Sequence, residues 1–415
     1  MNEKISPPNE SNGSTENRER SLAGKVALIT GASRDIGAAT AMALGLEGAN
    51  IVGCFREKAK RADQMQEQLT SLGINLELTQ ADITVEDDRK KLTEAVNKFG
   101  GKLDYLILNA SGKTTDINVT AANALIDQFL PIMPKDSTIV QMQSIPGHFE
   151  PHLRDLFLTP DFYEPIAIAK YAGEQSVRVR IKEFKEKEIN YIVICPPEVP
   201  ETLNMKVFSR LDPTINDKNS RISEILGLPI TMTSNEVGKK IAELLKRNDL
   251  PLGYTELFSD NTIDARGILS AWYGDEATFV DTLEKIDGNS GIGKLIVTKE
   301  HAKGHFNDQV GISVLPGHKM IEAAAQTLGL IALDGKISDD IMPLFQGITG
   351  PIKFLKTAVP GDVLQIQAVI TEKSKRGFTG DVRIVNQESV PVAEICGLEA
   401  IVTKKDTAKR LMGVK

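Results

Sequence analysis

Glu322 is the first residue that asks for a chemical explanation. It sits among Ile321, Ala323, Ala324, Ala325, Leu328 and Leu330. That pattern reads as a helix apolar nearly all round, and such a helix is buried. Burial raises a carboxyl pKa and keeps the group protonated near neutrality, which suits a general acid. His305 lies upstream. An imidazole with a reference pKa near about 6.5 suits proton transfer at neutral pH. Gly317 opens the apolar helix. A backbone N–H there, helped by the helix dipole, can stabilise developing negative charge.

A second group lies near the amino end, in Thr30-Gly31-Ala32-Ser33-Arg34-Asp35-Ile36-Gly37. A glycine-bearing turn between a strand and a helix lets backbone N–H groups and the helix N-terminus approach a pyrophosphate. The turn gains weight from its place at the first strand of an alternating series. His148 and His152 have no metal-like spacing with acidic partners and are expected in loops.

Strand must alternate with helix to hold that turn. Lys25 to Thr30 is a short apolar, β-branched run, read as a buried parallel strand. A helix is expected from Ile36 to Glu47, a strand from Asn50 to Cys54 and a helix from Lys58 to Ser71. Strands at Leu76 to Thr79, Leu103 to Asn109, Ser137 to Gln143 and Tyr191 to Cys195 continue the series. Helices at Asp87 to Lys98, Ile166 to Lys187 and Glu236 to Arg247 alternate with them, and Tyr254 to Phe258 is the last strand. This is the pattern of an α/β Rossmann-like doubly wound parallel sheet. Past residue 262 the pattern changes. One apolar helix, Met320 to Leu333, precedes strand-like segments at 351–356, 363–372, 379–386 and 391–403. That combination reads as α+β. The expected organisation is a disordered tail at 1–20, a first domain at 21–262 and a second at 268–405.

The chain has 415 residues, enough for more than one core, and 41% of them are hydrophobic. A net charge of −7 argues against a nucleic-acid partner. Cys54, Cys195 and Cys396 lack CxxC spacing. No disulfide framework or thiolate metal site is expected, and a reducing compartment is. No apolar run approaches the roughly 18 residues of a membrane span. The polar start is not a secretory signal. A cytoplasmic protein is expected, with no membrane partner.

Residues 21–262 resemble the short-chain dehydrogenase/reductase family. The family's TGxxxGIG reads TGASRDIG here, so Gly31 and Gly37 match and Asp35 stands at the middle glycine. Asn109-Ala110-Ser111-Gly112 resembles the family's NNAG segment, and Asp82 matches its adenine-contacting Asp. Strand two ends at Cys54-Phe55-Arg56, without the acid that bonds a ribose 2′-hydroxyl. Arg34 and Arg56 are available to a 2′-phosphate, so NADPH is the expected cofactor. The resemblance implies contacts from Gly31, Ser33, Arg34, Ile36, Gly37, Arg56, Asp82, Asn109, Lys170 and Thr202. It also implies Ser144 as the polarising hydroxyl, Asn118 in a proton relay and Lys170 beside the cofactor ribose. Tyr163 stands seven residues before Lys170, where the common family spacing would place Ile166. Seven residues turn through about 700°, so Tyr163 still shares the face of Lys170. This spacing resembles the enoyl-acyl-carrier-protein reductases, which deliver a proton to an enolate.

Residues 268–405 resemble the hot-dog 3-hydroxyacyl-acyl-carrier-protein dehydratases. The resemblance rests on Gly304-His305-Phe306, on Leu315-Pro316-Gly317-His318 and the helix after it, and on Phe279-Val280-Asp281. It also rests on Phe345-Gln346-Gly347-Ile348, Val359-Pro360-Gly361-Asp362 and Arg376-Gly377. It implies that His305 takes the α-proton, that Glu322 activates or protonates the departing hydroxyl and that the Gly317 N–H holds the thioester oxygen. It further implies a homodimer or tetramer acting on acyl chains carried by acyl-carrier protein. The expected function is therefore double: NADPH-dependent enoyl or 3-oxoacyl reduction, and dehydration of 3-hydroxyacyl to trans-2-enoyl thioester. The rival expectation is a dehydratase whose reductase-like domain is a degenerate scaffold.

Overall fold

The run VALIT is buried along its whole length and forms strand β1 (Val26–Thr30). Unbroken burial is what a strand covered on both faces requires. This computed structural model describes residues 22–273, 277–285, 287–303, 313–334, 341–374, 377–404 and 407–408. The expected tail at 1–20, the segment Gly304-His305-Phe306 and Arg376 lie outside the described residues.

From β1 the chain passes through α1 (Asp35–Leu46), β2 (Asn50–Phe55), α2 (Ala59–Ser71), β3 (Leu76–Gln80), α3 (Glu86–Asn97) and β4 (Tyr105–Leu108). A π-helical turn (Asp116–Ala121) leads into α4 (Ala122–Phe129), then β5 (Thr138–Met142), α5 (Ile145–His148), α6 (Glu150–Asp155) and α7 (Glu164–Arg178). Next come α8 (Ile181–Glu186), β6 (Asn190–Ile194), α9 (Leu203–Leu211), α10 (Ile215–Leu226), α11 (Ser234–Leu245), β7 (Tyr254–Glu256), β8 (Thr262–Asp264) and α12 (Ala265–Tyr273). The remainder holds β9 (Thr282–Lys285), β10 (Ser290–Ile296), α13 (Lys299–Ala302), α14 (Gly317–Ala332), β11 (Ile341–Ile348), β12 (Ile352–Phe354), β13 (Val363–Lys373), β14 (Gly377–Val385) and β15 (Pro391–Lys404).

Two compact units interleave along the sequence. The first runs up to Ser144 and adds Ile168–Leu211 and Thr231–Leu252. The second takes Ile145–Ala167, Asp212–Ile230 and everything from Gly253.

In the first unit six parallel strands lie in the order β3-β2-β1-β4-β5-β6. The order reverses between β1 and β4, and such a reversal opens a crevice at the strands' carboxyl ends. Thr30 is the last residue of β1, so the turn that follows it sits at that crevice. Helix α11 begins at Ser234, two residues before the expected start at Glu236. The reason is a capping box. The Thr233 hydroxyl accepts the Glu236 N–H at 3.2 Å, and the Glu236 carboxylate accepts the Thr233 N–H at 2.7 Å. The single helix expected from Ile166 to Lys187 is two, α7 and α8. At the break, Arg180 pairs with Asp127 at 2.7 Å and with Glu183 at 3.0 Å.

The second unit is an antiparallel sheet with one central helix. Its strands run in the order β11-β15-β14-β13-β10-β9-β8, with β12 beside β15. Helix α14 buries Met320, Ala323, Ala324, Leu328 and Leu330 in a core with Leu364, Ile366, Ile384 and Leu398. The arrangement is compatible with the expected hot-dog domain. The strands expected at 363–372, 379–386 and 391–403 are β13, β14 and β15. Strand β11 escaped the sequence reading because Pro343 and Gly347 interrupt it. Both residues are tolerated at a sheet edge, which is where β11 lies.

Candidate functional site

The turn after β1 is shaped from inside. The Asn109 side chain donates to the carbonyls of Thr30 at 2.9 Å and Gly31 at 3.2 Å. The Thr30 hydroxyl accepts the N–H groups of Asn109 and Ala110, both at 2.9 Å. Asn109, expected at a cofactor, thus spends its amide on the turn. Gly31 has φ +68°, and a Cβ on Gly37 would stand 2.2 Å from the Gly31 oxygen. A side chain fits neither position without strain or clash. Both glycines are therefore required by the tight packing of the turn against itself and Asn109.

The charged groups fit less simply. Asp35 has φ +50°, a left-handed conformation that disfavours an ordinary side chain. Its carboxylate meets the Arg34 guanidinium, and the Leu203 N–H lies 3.4 Å from each of its oxygens. Arg34 also donates to the Asn204 side-chain oxygen at 3.2 Å. Arg56 pairs with Glu57 at 3.2 Å on the surface. The two arginines expected at a 2′-phosphate are thus each engaged by a neighbouring carboxylate. Asp82 accepts the hydroxyl of Thr84 at 2.7 Å and its N–H at 3.0 Å, which hold its carboxyl below the usual range. Ser33 and Ile36 are half-buried in the turn. Thr202 is buried; its hydroxyl donates to the Val199 carbonyl at 2.9 Å and accepts the Met205 N–H at 3.3 Å.

Lys170 projects from α7 to the end of β5, donating to the Met142 carbonyl at 3.2 Å. The Gln143 side chain returns a bond to the Lys170 carbonyl at 2.7 Å. Ser144, half-buried, follows Gln143 directly. The fold therefore anchors Lys170 two residues from the end of the segment that carries Ser144. Burial pushes the Lys170 ammonium down to about 8, against weaker opposing effects of Cys195 and Glu174. Asn118 lies in the π-helical turn. Its amide donates to the carbonyls of Gly112 at 2.7 Å and Thr114 at 2.9 Å, and its oxygen accepts the Ser111 hydroxyl at 3.1 Å. A Cβ on Gly173 would stand 2.4 Å from the Asn118 carbonyl oxygen, so α7 backs onto that carbonyl one turn from Lys170. Such π-turns concentrate at functional sites. Tyr163 precedes α7, and its carbonyl accepts the N–H groups of Ile166 at 2.8 Å and Ala167 at 2.9 Å. Ser144, Lys170 and Asn118 belong to the first unit, whereas Tyr163 belongs to the second.

In the second unit Glu322 is half-buried on α14, and burial raises its carboxyl pKa. Gln326 opposes the rise weakly, donating to it at 3.3 Å. Gln326 is itself fixed, donating to the Ala277 carbonyl at 2.6 Å and accepting the Phe279 N–H at 3.0 Å. Burial, then the charge of Glu322, pushes the Tyr273 hydroxyl up. A Cβ on Gly317 would stand 2.7 Å from the Phe354 ring, so the helix must open with glycine for that ring to pack. His305, the expected base, lies outside the described residues.

The sequence reading missed a buried polar cluster in the same unit. His148 Nε2 lies 3.2 Å from Asp264 Oδ2, and His152 Nδ1 lies against Asp281 Oδ1. The other nitrogen of His152 is 2.6 Å from an Arg266 N–H donor. An acceptor at Nε2 leaves the proton on Nδ1, facing Asp281. Asp281 also accepts the Ile296 N–H at 2.8 Å. The His301 ring packs edge-on to His152 at 5.3 Å. Burial drives His152 down and takes His301 to about 4. Burial pushes Asp281 up, yet His152 and Arg266 win and hold it low. The two histidines expected in loops stand on helices α5 and α6. No local signal marked them, because their partners Asp264 and Asp281 lie far along the chain. Among the described residues no group of three His, Cys, Asp or Glu could hold a metal ion, and no helix is long and apolar enough to cross a membrane.

Residues 25–212 match the family model of short chain dehydrogenase. Tropinone reductase-like 3 of Erythroxylum coca is 32% identical over 148 residues, covering 32% of this chain and 57% of the relative. The rhamnolipids biosynthesis 3-oxoacyl-(acyl-carrier-protein) reductase of Pseudomonas aeruginosa is 28% identical over 208 residues, covering 45% of this chain and 77% of the relative. The chain thus spans little more than half of the first relative's length. A solved short-chain dehydrogenase/reductase of unknown function from Caenorhabditis elegans is 22% identical, with a TM-score of 0.49 over 57% of this chain and 94% of that one.

Proposed function

We propose that this chain, whose N-terminal part carries a short-chain dehydrogenase/reductase domain, is a two-step acyl-thioester enzyme. Residues 21–262 reduce an enoyl or 3-oxoacyl group with NADPH. Residues 268–405 dehydrate 3-hydroxyacyl to trans-2-enoyl thioester. The substrate is carried on acyl-carrier protein, and the working form is a cytoplasmic homodimer or tetramer. The observation that carries the reductase half is Lys170 anchored at the end of β5 beside Ser144. The similarity to a 3-oxoacyl-(acyl-carrier-protein) reductase supports the substrate class.

Gly31, Ser33, Ile36 and Gly37 would hold the pyrophosphate end of the cofactor, with Arg34, Arg56, Asp82, Asn109 and Thr202 around it. NADPH, when bound, supplies the hydride. Ser144 donates a hydrogen bond to the reacting oxygen, and Tyr163 gives up the proton. Lys170 retains its positive charge below about pH 8 and eases that loss electrostatically. Asn118 keeps the carbonyl that faces α7 in place. In the second domain His305 removes the α-proton and the Gly317 N–H holds the thioester oxygen. Glu322, whose carboxyl pKa is raised by burial, gives a proton to the departing hydroxyl.

A second reading, dehydration alone on a degenerate reductase scaffold, is favoured by Asp35 at the cofactor turn. One incubation separates the two. The purified protein is given a 3-hydroxyacyl-carrier-protein thioester, first without and then with NADPH, and products are followed by mass spectrometry. Loss of one water without cofactor and gain of two hydrogens with it are the expected results. Dehydration with no NADPH-dependent step on enoyl or 3-oxoacyl substrate would leave only the second reading. Unchanged substrate throughout would remove both.

A further inference from the structure

We infer that Asp35 is a tethered anion that sets cofactor affinity by competing for the phosphate end of the dinucleotide cleft. The inference rests on the reductase reading above.

Asp35 is the first residue of α1, at the end of the tight turn that Gly31, Gly37 and Asn109 shape. A helix N-terminus there favours a negative group. The side chain itself supplies one. Its carboxylate contacts the guanidinium of Arg34 and faces the Leu203 N–H at 3.4 Å from each oxygen. Leu203 opens α9, so a second helix start points at the same carboxylate. Arg34 then reaches on to Asn204 at 3.2 Å, so the turn after β1 is tied to the first turn of α9. Thr202, expected to meet the cofactor, immediately precedes these contacts.

The donors that Asp35 engages are therefore those a phosphate oxygen would use. An incoming dinucleotide must displace the carboxylate and then tolerate its charge nearby. The backbone adds a second indication. Asp35 adopts φ +50°, where glycine is relaxed and Asp or Asn is tolerated at some cost. Asp35→Asn keeps the shape and the conformational tolerance while removing the charge. Asp35→Gly removes both the charge and the side chain.

The full-length protein and both variants are titrated with NADPH by nicotinamide fluorescence, and thermal melts confirm that each is folded. Both variants are expected to bind NADPH more tightly than the wild type by roughly tenfold or more, the scale of one charge-assisted contact. Inorganic pyrophosphate should compete better for the variants than for the wild type. Equal affinity of all three proteins overturns the inference and leaves the reductase reading intact. Tighter binding by Asp35→Gly alone also overturns it, because the obstacle would then be bulk rather than charge. No NADPH binding by any of the three, including Asp35→Gly, removes the reductase reading and the inference together.

Discussion

Lys170 and Glu322 are opposite charges treated in the same way. Each projects from a helix, each loses hydration, and burial moves each toward its neutral form. Their supports differ. Both bonds of Lys170 run through a backbone carbonyl, since its ammonium donates to that of Met142 and its own carbonyl accepts the Gln143 side chain. Among the described residues Glu322 hydrogen-bonds one side chain, Gln326, whose own position depends on Ala277 and Phe279. Main-chain anchoring fixes a residue wherever the fold forms. Side-chain anchoring makes a residue depend on packing around one helix. The first kind of site leaves a spacing in the sequence. The second leaves only an incongruous carboxylate.

The contrast predicts two separable activities. Glu322→Gln should lower dehydration by about 10²- to 10⁴-fold, the usual scale for a lost general acid, and leave reduction unchanged. Lys170→Ala should do the reverse. Both activities are measured on each purified variant with thioester substrates. A parallel fall of both activities in either variant would erase the distinction between the two sites.

The buried cluster sharpens the comparison from the stability side. Asp281 is fully buried between His152, Arg266 and the Ile296 N–H. Asp281→Ala leaves Arg266 inside without its counter-charge. The expected cost is about 3–5 kcal/mol in denaturant unfolding, far above that of cutting the surface pair Arg56–Glu57. A cost below about 1 kcal/mol would make the cluster no more than a surface-type contact.

How much was legible follows the same division. Val26–Thr30 and the glycines after it announced the parallel sheet and its crevice, because burial on both faces and close backbone approach leave few residue choices. The apolar run around Glu322 announced a central helix, and α14 is one. Strands β13 to β15 were legible because they alternate. Strand β11 was not, since an edge strand with Pro343 and Gly347 breaks the pattern. The engagement of Arg34 and Arg56 by Asp35 and Glu57 was also hidden. An arginine's partner is set by rotamers and neighbours, not by its spacing. His148 and His152 were misplaced for a related reason. Their partners, Asp264 and Asp281, lie more than a hundred residues away, and no local pattern records such a pairing.

The smallest effect is the most direct test of the comparison, because it needs no substrate. Lys170 holds its proton less well folded than unfolded, with about 8 against an ordinary 10.5. Between those values the unfolded chain binds the extra proton, so this group makes stability rise with pH across that window. Glu322 is the mirror case, since its folded pKa lies above the ordinary 4.5. Here the folded chain binds the extra proton. Its contribution is full below about pH 4.5 and is lost as pH rises through the folded value. Lys170→Met should therefore flatten the alkaline rise in unfolding free energy and leave the acid side alone. Glu322→Gln should flatten the acid-side decline and leave the alkaline side alone. Urea midpoints measured from pH 4 to 11 on the two variants would read both slopes. Unchanged slopes in both variants would mean that neither helix withholds its charged residue from water, and the symmetry between the two residues would be gone.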